Sequence, residues 1–200
     1  MAAAMMMKRG CEVILLHLFN ETIHSPGVRR KIALLGEALT RIQPEIKLYM
    51  VPFGELQREI VRAIPARYRM LVYRRLMMEI GDEIAAAEGA GALATGDSLS
   101  QVASQTLENL QVIYAASHHP VLAPLIGFDK EETIRLAQKI GTYEISIMPY
   151  EDCCSFMSAK HPETRGRLEF IAGLEEGLRL DLRAAVEGAE MRHLRVGPPS

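Results

Sequence analysis

The stretch Ala92-Leu93-Ala94-Thr95-Gly96-Asp97-Ser98-Leu99-Ser100-Gln101-Val102-Ala103-Ser104-Gln105-Thr106 packs a strand end, a glycine turn and a helix start into one short run. Ala92 to Thr95 is the kind of apolar segment that forms a buried parallel strand, and Gly96 lets the chain leave the sheet without a side-chain clash. Ser98 followed by Gln101 has the spacing of a capping box. Leu99, Val102, Ala103, Leu110 and Ile113 then recur at helical spacing as the face to be buried. The remaining stripe of Ser98, Gln101, Gln105 and Asn109 falls at the carboxyl end of a sheet, where open α/β folds place their ligands. A strand-turn-helix unit of this kind predicts an α/β protein with a doubly wound, mainly parallel sheet and helices on both faces.

The chain has 200 residues, 48% of them hydrophobic, which is enough for one core and one domain over residues 1–196 with a frayed tail at 197–200. No apolar run has the length to span a bilayer and the start lacks a signal-peptide pattern, so the expected compartment is the cytoplasm. The cysteine count is 3, and the adjacent Cys153 and Cys154 cannot bridge each other without strain, which points to reduced thiols. A net charge of -2 excludes a stand-alone nucleic-acid binder of the strongly basic type.

Ala2 to Arg9 reads as the last turns of a helix closed by Gly10. Glu12 to Leu18 reads as an interior strand ending in His17-Leu18. Val28, Ile32, Leu35, Leu39 and Ile42 make a helical stripe, Ile46 to Phe53 a second strand, and Leu56 to Ile64 a helix stopped by Pro65. From Arg67 a long helix carries Arg67, Arg69, Arg74 and Arg75, three of which are candidates for phosphate contacts beside Arg74. Gly91 to Thr95 and Pro120 to Gly127 follow as strands. His118 and His119 fit no usual metal-ligand spacing, so no metal is expected. Asp129 caps the next helix, in which Lys130 is a cation where the macrodipole disfavours one. From about residue 163, Leu168 to Leu178 and Leu182 to Met191 read as two carboxyl-terminal helical pieces.

The words Met6-Met7-Lys8-Arg9-Gly10, Val51-Pro52-Phe53, Arg74-Arg75, Gly96-Asp97-Ser98-Leu99, Gln101 to Thr106, Ile140-Gly141-Thr142-Tyr143-Glu144 and Pro149-Tyr150-Glu151-Asp152-Cys153-Cys154 occur in one order along the chain. Together they resemble the tRNA 4-thiouridine synthetases, tRNA sulfurtransferases of the PP-loop ATPase superfamily. The resemblance implies an adenine nucleotide alpha-hydrolase-like fold. In that family a strand central to the sheet and a Ser-Gly-Gly-x-Asp-Ser phosphate loop precede the first helix. This sequence lacks both and reads as an amino-terminally truncated catalytic domain.

The resemblance also assigns roles. His17 and Leu18 fall on a His-Phe pair at the adenine side of ATP, with leucine replacing the aromatic ring. Arg74, Gly96 and Gln105 fall on further ATP contacts, and Lys130 on a lysine that helps catalysis. Either Cys153 or Cys154 matches the essential sulfur-carrying cysteine: spacing from Pro149 favours Cys153, spacing to Lys160-His161-Pro162 favours Cys154, and Cys154 is taken first. The implied reaction is ATP-dependent conversion of a tRNA uridine to 4-thiouridine, with a family link to thiamine thiazole sulfur transfer. ATP with magnesium, tRNA, a cysteine desulfurase or other persulfide donor, and a homodimer are the implied cofactor and partners. Two alternatives stand beside it, a non-catalytic nucleotide-binding remnant and an adenylating ligase with another substrate.

Overall fold

A computed structural model describes residues 1–20, 26–149, 159–178 and 180–195. The order begins with helix α1 (Ala2–Lys8), strand β1 (Leu15–Phe19), α2 (Pro26–Leu39), β2 (Glu45–Pro52), α3 (Gly54–Ala63) and the long α4 (Arg69–Glu88). It continues with β3 (Leu93–Ala94), α5 (Leu107–Tyr114), β4 (Val121–Leu122), α6 (Lys130–Lys139) and α7 (Tyr143–Ser146). Helices α8 (Leu168–Glu176) and α9 (Leu182–Glu187) and strand β5 (Glu190–Arg195) complete the described elements.

Parallel pairing dominates, as expected, but in two separate pieces. β1 runs parallel to β2 with Leu15 opposite Leu48 and Phe19 opposite Pro52, and β3 runs parallel to β4. Period-2 alternation sends β1 and β2 side chains to opposite faces. Leu15, Phe19, Ile46, Leu48 and Met50 pack with Ala4 and Met7 of α1, while Leu16, Leu18 and Val51 join the larger core built on α3, α4, α5 and α8. Helices therefore cover both faces of the β1-β2 pair, which is why apolar side chains of both strands are buried on either side.

Several boundaries moved for identifiable reasons. The first strand starts at Leu15 rather than Glu12, because the Gln43 side chain takes both the N–H and the C=O of Val13. Ile42 falls beyond α2 and is exposed. The strand expected over Pro120 to Gly127 is confined to Val121–Leu122 and gives way to a turn in which the Ile126 amide reaches the Ala123 carbonyl; Pro124, with no amide to donate, sits inside that turn. Met191, read as helical, lies in β5, which pairs antiparallel with β2. Here pairing with β2, which seats Leu194 opposite Ile46 in the core, overrode the helical spacing. Among the described residues no helix is long and apolar enough to cross a membrane.

Candidate functional site

Helix α4 and strand β3 run in opposite senses, so Arg74 in the second turn of the helix lies beside the carboxyl end of the strand. Gly81 makes that packing close, since a Cβ there would meet Leu93 Cδ1 at 3.1 Å. Immediately past β3 come Gly96 and Asp97. Asp97 is 3% exposed and gathers three donors. Arg74 Nη2 donates to its Oδ2 at 2.6 Å, the Tyr114 hydroxyl to the same oxygen at 2.8 Å, and Gln105 Nε2 to Oδ1 at 2.9 Å. Burial alone would push this carboxyl up, but the charge of Arg74 and the hydrogen bonds from Arg74, Gln105 and Tyr114 outweigh it and hold Asp97 below the usual carboxylate range. Burial, reinforced by the bond to Asp97, pushes the Tyr114 hydroxyl up to about 12, although its contact with Thr95 acts the other way.

The structure thus brings together Arg74, Gly96 and Gln105, and adds Asp97 and Tyr114, which sequence reasoning passed over. The signal for Asp97 was its place between the strand-ending Gly96 and a polar loop; for Tyr114 there was none, because it reaches back from the far end of α5. Of the two reasons for a glycine here, freedom to turn and close approach of a ligand, the geometry needs only the second. Its backbone is not left-handed, and a Cβ there would meet nothing within 4 Å. The space above Gly96 is open, as close approach of a ligand would require.

The helix start predicted at Ser98 is wrong. Ser98 Oγ donates to the Phe128 carbonyl at 2.6 Å instead of capping a helix, and Ser100 takes a left-handed φ of 61°. A single 3-10 turn, Ala103–Gln105, follows, and α5 begins at Leu107 with Thr106 as its N-cap. Leu99 and Val102, expected in the core, are 46% and 54% exposed. Asn109, expected on a ligand-facing stripe, is fully buried. Its Nδ2 donates to the carbonyls of Ala103 and Glu163, and its Oδ1 accepts from the Gly166 amide.

Two of the three arginines proposed for RNA phosphates are also spent inside the fold. Arg69 donates to the carbonyls of Ile64 and Val61 at the end of α3. Arg75, 6% exposed, pairs with Glu175 of α8 at 2.7 Å and donates to the Val112 carbonyl. Arg67 is the exposed one of the three, paired with Glu163.

Lys130 opens α6, whose capping box is formed by Asp129 and Glu132. It stands on the wall of a cleft of about 580 Å³ lined by Leu35, Thr133, Tyr143, Ser146 and Ile147 among others. The Ser98 bond to Phe128 and the Leu99 amide's bond to the Ile126 carbonyl tie the Asp97 loop to the segment that leads into Lys130. Lys31, buried in α2, donates to the carbonyls of Ser146 and Met148 at 2.7 and 2.9 Å and so fixes another part of this wall. Leu18 is a core side chain at 4% exposure, so any ligand contact from it comes through its backbone. By strand alternation His17 shares the α1 face with Leu15 and Phe19. Cys153 and Cys154 lie outside the described residues. His118 and His119 both place Nδ1 on Asp82 of α4, and among the described residues no group of three or more His, Cys, Asp or Glu is arranged to hold a metal.

A family model described as "Thiamine biosynthesis protein (ThiI)" matches residues 1–180. A probable tRNA sulfurtransferase of Thermus thermophilus is 50% identical over 177 residues, 88% of this chain and 44% of that protein. Another, from Caldanaerobacter subterraneus subsp. tengcongensis, is 44% identical over 189 residues, 94% of this chain and 49% of the relative. Among solved structures, a 4-thiouridine synthetase in complex with RNA and bound ATP superposes with a TM-score of 0.88 at 34% identity, covering 96% of this chain and 51% of that one. The chain spans about half the length of the curated relatives it matches. Matched over residues 1–180 by one family model, the chain belongs to the thiamine biosynthesis protein (ThiI) family.

Proposed function

We propose that this chain is the nucleotide-binding and sulfur-transferring half of an ATP-dependent tRNA sulfurtransferase that makes 4-thiouridine. One observation carries the reading: Arg74 and Gln105 converge on Asp97 directly after Gly96, whose missing side chain leaves open space at the carboxyl end of β3. A planar guanidinium suits ring or phosphate acceptors, a side-chain amide suits a base or ribose edge, and a bare glycine lets a ligand reach the backbone. His17 and the Leu18 backbone complete the adenine side. Lys130, which lines the neighbouring cleft, supplies the cation that stabilises charge on the transferring adenylate.

Bound ATP supplies the adenylate that makes the uridine 4-oxygen a leaving group, which departs as AMP when sulfur bonds to the ring carbon. The sulfur is the terminal sulfur of a persulfide on Cys154, or on its neighbour Cys153, loaded by a cysteine desulfurase or another persulfide donor. Once it has bonded to the ring carbon, a second thiol attacks the cysteine sulfur, and the S–S bond breaks to release thiouridine as a protein disulfide forms. An external dithiol reduces that disulfide for the next turnover. Magnesium would travel on the nucleotide's phosphates. The cytoplasm and a homodimer complete the proposal.

The test is to incubate the chain with ATP, magnesium, an unmodified tRNA transcript, a persulfide donor and a dithiol reductant, and to follow pyrophosphate, AMP and thiouridine separately. Pyrophosphate and thiouridine should both form, Arg74→Ala should suppress both, and Cys154→Ser should stop thiouridine while sparing pyrophosphate release. ATP binding without AMP release would identify a non-catalytic module. Turnover indifferent to substitution of both thiols would identify a ligase with another substrate.

A further inference from the structure

The Gln105 amide has two chemically different ends, and the surrounding geometry determines which is available. A carboxylate only accepts, so the end facing Asp97 at 2.9 Å must be the NH2 group. Asp97 has little freedom to change this, because its other oxygen holds Arg74 and Tyr114. The Gln105 main chain is pinned as well: its amide donates to the Val102 carbonyl and its carbonyl accepts from Ser100, each at 2.8 Å. What remains is Gln105 Oε1, a buried acceptor with no hydrogen-bond partner among the described residues.

We propose that Asp97 is a positioning residue that locks Gln105 with its carbonyl oxygen presented to the nucleotide, so that the site selects a ligand offering a hydrogen-bond donor there; this rests on the nucleotide reading given above. The donors of ATP are its exocyclic amine and its ribose hydroxyls. Its phosphates only accept and are repelled by a carbonyl oxygen, so Oε1 assigns this corner to the nucleoside half. An unsatisfied buried acceptor is costly, and a ligand donor removes that cost while an analogue lacking it does not.

The experiment is calorimetric titration of the whole chain with ATP, 2′-deoxy-ATP, 3′-deoxy-ATP and the purine riboside triphosphate that lacks the 6-amino group. One analogue should bind on the order of tenfold more weakly than ATP, as expected for one lost hydrogen bond, and its identity names the donor. Asp97→Asn offers Gln105 a donor as well as an acceptor, so the amide can turn over and ATP and that analogue should bind alike. Asp97→Glu keeps an acceptor and should restore the selectivity. Gln105→Met, which leaves the Asp97 bonds to Arg74 and Tyr114 in place, should also abolish the difference and serves if the Asp97 variants do not fold. The selectivity ratio is the readout, since a merely structural role for Asp97 would lower all affinities together. Equal binding of ATP and all three analogues by the unmodified chain, or selectivity retained in Asp97→Asn, overturns the inference and leaves the nucleotide site standing. No binding of ATP at all overturns both.

Discussion

Asp97 shows how much a single carboxylate can organise when it is buried among donors. Because its carboxyl is held below its ordinary value, the linkage sign is fixed: its stabilising contribution is complete above the unfolded-state value near 4 and is lost as pH falls through the lower folded value. Asp97→Asn should therefore be less stable than the parent at pH 7, by roughly 1–3 kcal/mol for a disrupted buried, charge-assisted network. The gap should narrow below about pH 4. Urea unfolding of both proteins at pH 7 and at low pH checks this, and a gap independent of pH would contradict it. Asp97 was overlooked because an acidic residue in a Gly-Asp-Ser turn has a sufficient local explanation. Nothing in the linear order says that an arginine in α4 and a tyrosine at the end of α5 will meet there.

At the scale of elements, the informative case is the helix that began in the wrong place. Both Ser98-x-x-Gln101 and Thr106-x-x-Asn109 offer a hydroxyl three residues ahead of an amide, and local spacing does not separate them. Thr106 caps because its main chain is extended and its hydroxyl also reaches the Thr164 carbonyl at 2.7 Å, whereas the Ser98 hydroxyl is held by the Phe128 carbonyl. Thr106→Ala should cost about 1 kcal/mol through loss of the cap. Ser98→Ala should leave the protection of α5 amides unchanged in hydrogen exchange, which would fail if Ser98 capped that helix. The joint between α4, α5 and α8 makes a second prediction. Arg75→Met strands Glu175 in the core, where burial already raises its carboxyl despite Arg75, and should cost roughly 3–5 kcal/mol. Arg75→Met with Glu175→Leu should recover much of that loss, as judged by denaturant midpoints. A loss confined to RNA binding would instead return Arg75 to the surface role that the arginine run suggested.

For the whole molecule, parallel strands in two sheets of unequal size imply unequal local stability. In the three-stranded β1-β2-β5 sheet the β1-β2 pair is covered on both faces, whereas β3 and β4 share a two-residue ladder. Short two-stranded ladders are marginal, so the Leu93 and Thr95 amides should exchange with solvent well before those of Leu48 and Met50. Matching exchange rates would show that the two sheets open as one unit. Such unevenness places the Asp97 loop at the less protected end of the fold, where a bound ligand has most to stabilise. The sequence by itself determined the α/β class, the parallel strands β1 and β2 from an apolar run and an alternating one, and the caps at Gly10 and Asp129. Those are properties of neighbours along the chain, set by backbone sterics, periodicity and residue chemistry. Only the tertiary structure decided that Asp97 joins Arg74 to Gln105, that Arg69, Arg75 and Asn109 are consumed by internal partners, and that β5 turns back antiparallel along β2. Each of those outcomes is a competition among distant donors and acceptors for the same partner, and its winner depends on which groups folding brings within about 3 Å of one another.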